Sequence, residues 1–205
     1  PYGAGGHGGV VFIDGATVAV TTAGDNADGI VATSQGLKSR SDVSGMPGGS
    51  GDQVTLNGTF TIATQGKASD AVVATSLGGA GGPGSGGGNG GNIFLTADAG
   101  SSFTTQGDLA AGVAAQSIGG RGGDAAYKSG LVTFGADGGA SGLPGAVSLD
   151  NAGTVTTGGN QATAMIAQSI GGSGGHGGSA FGLFYSKGGS GGAGGDGGIV
   201  TVTNE

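Results

Sequence analysis

Cysteine and tryptophan are absent from the 205 residues, proline occurs four times, and only 9% of the side chains are charged. Without cysteine there are no disulfides and no thiolate sites, which leaves the compartment open. Four prolines, and glycines with no strict every-third-residue period along the chain, exclude collagen. The low charge argues against a charge-driven disordered chain. No run of 18 apolar residues and no signal peptide is present, so this segment is not expected to insert into a membrane. Basic residues are scarce as well. Six of them face 13 acids, a net charge of −7, and no basic patch interleaves with aromatics, so nucleic acid is not an expected partner. Large apolar side chains are too few for a conventional globular core of this length. A stacked array needs fewer, because each unit buries its face on a neighbour.

Glycine is abundant: 56 residues, about four times the usual share. It follows a pattern in which a short apolar run ends at Ser and then enters a glycine tract. The pattern occurs at Gly29–Gly36, Ala71–Gly82, Ala111–Gly123 and Ala162–Gly178. Aligned on Ser34, Ser76, Ser117 and Ser169, each unit also opens with two alternating runs. The first begins at Val11, Val54, Ile93 and Val147; the second ends at Thr22, Thr64, Thr105 and Thr157, before a Gly-containing turn. Period-two alternation with β-branched residues predicts strands. The chain thus reads as one continuous array with units over 10–52, 53–92, 93–146 and 147–198, and a fifth beginning at 199–205. It starts at Pro1 inside a glycine tract (Gly3–Gly9) and stops after a strand-like run, which is expected of a segment of something longer.

The third run, ending at Ser, fits a short helix or a strand. The register favours a strand. Ile30, Val72, Val113 and Met165 stand four before the Ser and Ala32, Ala74, Ala115 and Ala167 two before it, all on one face with it. The other face, with Val31, Val73, Ala114 and Ile166, is apolar too, which predicts burial on both sides, the second under the glycine segments. Those segments read as flexible linkers or as ordered extended chains that approach closely because no Cβ intervenes. Their recurrence in phase favours order. The expected fold is all-β: a repetitive β-solenoid (parallel β-helix) with glycine-rich extended segments packed on the coils. Equivalent residues should form ladders at the strand spacing of about 4.8 Å.

The pattern Val-x-Leu-x-Asn, then Thr-Val-x-Thr-x-Gly, then Ile-Ala-Gln-Ser-Ile-Gly-Gly-x-Gly-Gly resembles the glycine-rich repeats of large bacterial autotransporter passenger regions. Ala115–Gly120 and Ala167–Gly172 match the Ala-Gln-Ser-Ile-Gly-Gly block in full. The Ser34 unit departs from it, with Gln35-Gly36-Leu37 followed by Lys38-Ser39-Arg40. The resemblance implies a β-helical surface protein of a Gram-negative bacterium, of the adhesin, stalk or filament kind. Absence of cysteine suits export as an unfolded chain.

Chemical sites are weakly signalled. His7 and His176 share a Gly-Gly-His-Gly-Gly context, but a metal site needs more converging ligands. Gly119–Ala126 approximates a calcium nonapeptide, which requires consecutive copies. Lys187-Gly-Gly lacks the Ser/Thr of a phosphate loop. Asp25, Asp28, Asp70, Asp108, Asp124 and Asp137 are scattered and read as solvated turn residues. The Ser residues have no His or Asp arranged to activate them, and read as small inward ladder residues. No catalytic residue, metal or cofactor is expected. The expected function is structural: an extracellular rod, fibre or adhesin stalk on the bacterial surface. It would associate with itself end to end or laterally, or continue in a longer chain. The alternative is a binding module, either a flat ice-binding face on the Thr22, Thr64, Thr105, Thr157 column or a glycan or host-cell contact through Phe181, Phe184 and Tyr185.

Overall fold

The computed structural model describes residues 4–40, 42 and 44–205; Pro1 and Gly3, at the head of the first glycine tract, lie outside the described residues. The protein is all-β, with parallel strands and no helix among the described residues. Its strands are β1 (Val11–Thr22), β2 (Ile30–Gln35), β3 (Val54–Thr64), β4 (Val72–Leu77), β5 (Ile93–Ala97), β6 (Ser102–Thr105), β7 (Val113–Ile118), β8 (Lys128–Phe134), β9 (Val147–Asn151), β10 (Thr154–Thr157), β11 (Met165–Ile170), β12 (Ala180–Lys187) and β13 (Val200–Asn204). Three parallel sheets result. One contains β1, β3, β5, β6, β9, β10 and β13, the second runs β11-β7-β4-β2, and the third pairs β12 with β8.

The first and second runs of a unit are separate strands only in the later units. In the first two they fuse into β1 and β3, and β3 then pairs β5 along one half and β6 along the other. β1 stays in step with β3 through a one-residue bulge between Asp14 and Ala16, where Gly15 takes φ +67°. A glycine there adopts the left-handed conformation without a Cβ clash.

The third run is a strand in every unit. Ala32, Ala74, Ala115 and Ala167 lie in one column, and Ser34, Ser76, Ser117 and Ser169 in the next. The facing sheet supplies the columns Val11–Val54–Ile93–Val147, Ile13–Leu56–Leu95–Leu149 and Val20–Ile62–Phe103–Val155. These side chains and the Ile30–Val72–Val113–Met165 column form a single core between the two sheets. Phe60 and Phe103 pack with ring centroids 6.0 Å apart. Alternation puts one apolar set per strand inward, and in-register stacking makes that set continuous with the next unit's.

The outer face of the third strand departs from expectation. The glycine segments do not cover it: Val31 is 60% and Ile170 44% exposed, and Val73 and Ile166 are half-buried. Only Ala114 is buried on that face. The segments instead leave from the strand ends and pack on one another as two layers, one outbound after each Ser and one inbound to the next unit.

Both layers are ordered by backbone hydrogen bonds that recur every third residue. In the outbound layer Gly78 and Gly81 donate to Ile118 and Arg121 of the next unit, and Gly119 and Gly122 donate to Ile170 and Ser173, at 2.8–2.9 Å. The second glycine of each pair donates across to the other layer. One such relay runs Gly49–Gly79–Gly88–Gly120–Gly142–Gly172–Gly195, each N–H reaching the preceding carbonyl at 2.8–3.1 Å. A three-residue repeat without strand pairing, and with negative φ at these glycines, is polyproline II geometry. A Cβ on Gly79 would run into the Leu37 carbonyl and one on Gly120 into the Gly79 carbonyl. Hence the Gly-Gly-x rhythm: two positions face backbone, and the third, such as Arg121, Asp124, Ser173 or His176, faces solvent. The Ser34 unit joins the same scheme despite its divergent sequence, with Gly36 donating to Leu77 and Ser39 to Ala80.

Candidate functional site

The Ser column forms the seam between the sheets and the glycine layers. Asp52 N–H donates to Ser34 Oγ, and the Ser76 hydroxyl donates to the Asp52 carbonyl, both at 2.8 Å. The same alternation continues: Gly91 N–H to Ser76, Ser117 to the Gly91 carbonyl, Gly145 N–H to Ser117, and Ser169 to the Gly145 carbonyl. Each hydroxyl of the inner units thus accepts one bond and donates one, so a buried peptide edge is satisfied. Ser76 and Ser117 are fully buried. These are inward ladder residues as the sequence indicated, and each also serves as a cross-link.

The Thr column is not a flat outer face. Thr64 and Thr105 are 0% and 1% exposed. Thr22, Thr64 and Thr105 donate their hydroxyls to the carbonyls of Ala27, Ser69 and Ala110, closing the turn that leads to the third strand. Their parity with Val20, Ile62 and Phe103 places them inside. The ice-binding reading of this column is therefore overturned.

The corner turns repeat an unannounced feature. Asn26, Ala68, Leu109 and Gln161, one per unit, all have φ of 50–63°. Nothing in Ala, Leu or Gln signals a left-handed residue; the shared turn imposes it.

The acids do more than sit in solvent at turns. Asp25, Asp28, Asp70, Asp108, Asp124 and Asp137 accept, through Oδ1, the backbone N–H groups of Lys67, Asp70, Ala111, Asn160, His176 and Ser190 respectively, at 2.6–2.8 Å. Every one of these bonds reaches the following unit, so the carboxylates tie successive turns together. Burial pushes the Asp70 carboxyl above its ordinary range, opposed by its bond from Ala111 and reinforced by the nearby Asp28 charge. The bond from His176 N–H, with Arg121 beside it, holds Asp124 below that range.

The remaining candidates do not converge. His7 lies in the inbound layer, where its Nδ1 accepts the Ser50 N–H at 3.1 Å, and His176 in the outbound layer. Asp124 of the calcium-like stretch is engaged by Arg121 at 2.5 Å and by His176 N–H at 2.7 Å. Among the described residues no three His, Cys, Asp or Glu side chains come together.

One surface stands apart. The glycine layers of the third and fourth units are joined by loops carrying β8 and β12, which stack in parallel. Leu131, Val132, Phe134, Phe181, Leu183, Phe184 and Tyr185 are all 53–78% exposed there. Phe134 and Tyr185 touch, with centroids 5.7 Å apart, and Thr133 Oγ1 donates to the Phe181 carbonyl.

The sequence matches no family model, and no curated protein matches it. Among solved structures, a springtail antifreeze protein from Granisotoma rainieri, a bundle of nine polyproline type II helices, aligns over 87% of this chain and 94% of its own. The identity is 21% and the TM-score 0.21, a superposition too loose to bear on fold or function.

Proposed function

We propose that the chain is a repetitive β-solenoid, a parallel β-helix flanked by a polyproline II bundle, that serves as a structural segment of a rod, fibre or adhesin stalk on a bacterial surface. The observation that supports this reading best is the Ser seam. One hydroxyl column joins core, strands and glycine layers through all four units, an arrangement that transmits load along the axis and leaves no side-chain chemistry poised on a substrate. Each unit advances the axis by one strand spacing, so four units span roughly 20 Å. A filament therefore uses many units, within a longer chain or by stacking of copies. The resemblance of the Ala-Gln-Ser-Ile-Gly-Gly block to autotransporter repeats is what supports a location outside a Gram-negative cell in this reading.

The test is diffraction or electron microscopy of the assembled protein. An axial repeat near 4.8 Å is expected, with labelling of intact cells by an antibody to this segment. Filaments without that repeat, or labelling only after lysis, would overturn the reading.

A further inference from the structure

We propose that the stacked loops over 127–135 and 179–188 dock on the surface of an anionic lipid bilayer. Four observations carry this. First, the apolar side chains are exposed on both faces of the β8–β12 pair. Leu131 and Phe181 alternate with Val132 and Tyr185, and all four are more than half exposed. A protein partner with a flat surface covers one face of a sheet; a fluid apolar medium surrounds both.

Second, the loops have an apolar apex. Pairing breaks between Gly182 and Tyr185, where the chain turns back so closely that a Cβ on Gly182 would run into the Tyr185 carbonyl. Leu183 and Phe184 occupy that bend at 67% and 78% exposure, and Leu131 lies beside it at 63%. No polar side chain stands among these three to bond a sugar hydroxyl, which argues against a glycan as occupant.

Third, charge is arranged around this apex. The chain carries a net charge of −7, yet no acid lies between Ala125 and Ala136 or between Gly177 and Gly195. Lys128 and Lys187, both exposed, stand at the start of β8 and the end of β12, where the loops join the glycine layers. Apolar apices with basic residues set back from them match a headgroup layer over acyl chains.

Fourth, the base is rigid. Lys128 N–H donates to Ser179 and Gly135 N–H to Lys187, and Gly178 and Gly189 continue the relay into the bundle. The loops are therefore presented, not folded away. The contact is shallow and interfacial, since loops of this length cannot span the hydrocarbon core. It thus differs from the membrane insertion that the missing 18-residue apolar run argued against.

The proposal does not depend on the rod reading, because it is tested on the isolated chain. Phe184→Trp introduces the protein's sole tryptophan. Its emission is expected to shift to the blue on mixing with phosphatidylcholine vesicles containing phosphatidylserine, and the protein to sediment with them. The triple variant Leu131→Ser, Leu183→Ser, Phe184→Ser should bind about tenfold or more weakly. Lys128→Glu with Lys187→Glu should abolish the preference for phosphatidylserine vesicles over pure phosphatidylcholine. Circular dichroism melts matching the wild type establish that each variant is folded. Folded wild-type protein that sediments with neither vesicle overturns the proposal. So does an unshifted Phe184→Trp emission spectrum, or a concentration-dependent dimer that the triple variant loses while no vesicle is bound, which would make the patch a contact between copies.

Discussion

Ser117 shows how one side chain can hold two kinds of secondary structure together. It is fully buried, accepts from Gly145 N–H and donates to the Gly91 carbonyl. Ser117→Ala would leave both backbone groups without partners, at a cost of about 1–3 kcal/mol. Ser169 is half-buried and makes one of the two bonds, so Ser169→Ala should cost less; the difference reads directly in denaturant midpoints. Leu109 carries the opposite prediction. It is half exposed with φ +63°, so Leu109→Gly relieves a strained turn and should stabilise by about 0.5–1 kcal/mol, seen as a raised melting temperature. Asp70 gives a pH signature. Its carboxyl is raised by burial, so its favourable contribution is present below the ordinary carboxylate pKa and is lost as pH rises through the higher folded value. Asp70→Asn, which keeps an acceptor for Ala111 N–H, should therefore be more stable than wild type at neutral pH, and that advantage should vanish in acid. The inward Ser was legible from alternation. The direction of the Thr column was legible too, since Thr64 has the parity of Phe60 and Ile62. The left-handed residues at Ala68, Leu109 and Gln161 were not legible, because the turn and not the residue type sets their φ.

At the scale of elements, the strands were readable because their pattern has a period of two and the core selects one face. The glycine layers were readable only as a recurrence. Their partners lie in the adjacent units and the opposite layer, and a sequence of Gly-Gly-x states neither. The same gap hides from the sequence that the outer face of the third strand has no glycine cover: the layers satisfy one another and leave Val31 and Ile170 in solvent. Order in these layers is testable by substitution. A Cβ at Gly120 meets the Gly79 carbonyl, whereas one at Gly9 finds nothing within 4 Å. Gly120→Ala should destabilise by about 3 kcal/mol, at the upper end of overpacking costs, and Gly9→Ala should be near neutral. Equal, negligible effects of the two substitutions on chemical unfolding would mean the layers are flexible linkers after all.

For the whole molecule, the useful consequence of in-register stacking is that equivalent positions are interchangeable. Val11, Val54 and Ile93 form one column, as do Ile30, Val72 and Val113. Removing 54–92 therefore brings β5 and β6 onto β1 and β7 onto β2 with every inward residue still inward, and leaves the β8–β12 loops untouched. Stability in such an array is close to a sum of unit terms and interface terms. The shortened chain should keep its β-type circular dichroism and a cooperative transition at a lower melting temperature, having lost one unit and one interface. Removing 53–71 is shorter but out of phase. It deletes β3 and keeps β4, so the core columns of the larger sheet are interrupted while Val72 and Ala74 remain with nothing to face. That variant should fail to fold. If the two deletions behave alike in thermal melts, the units do not stack as equivalents, and the strand columns owe their order to something other than the repeat.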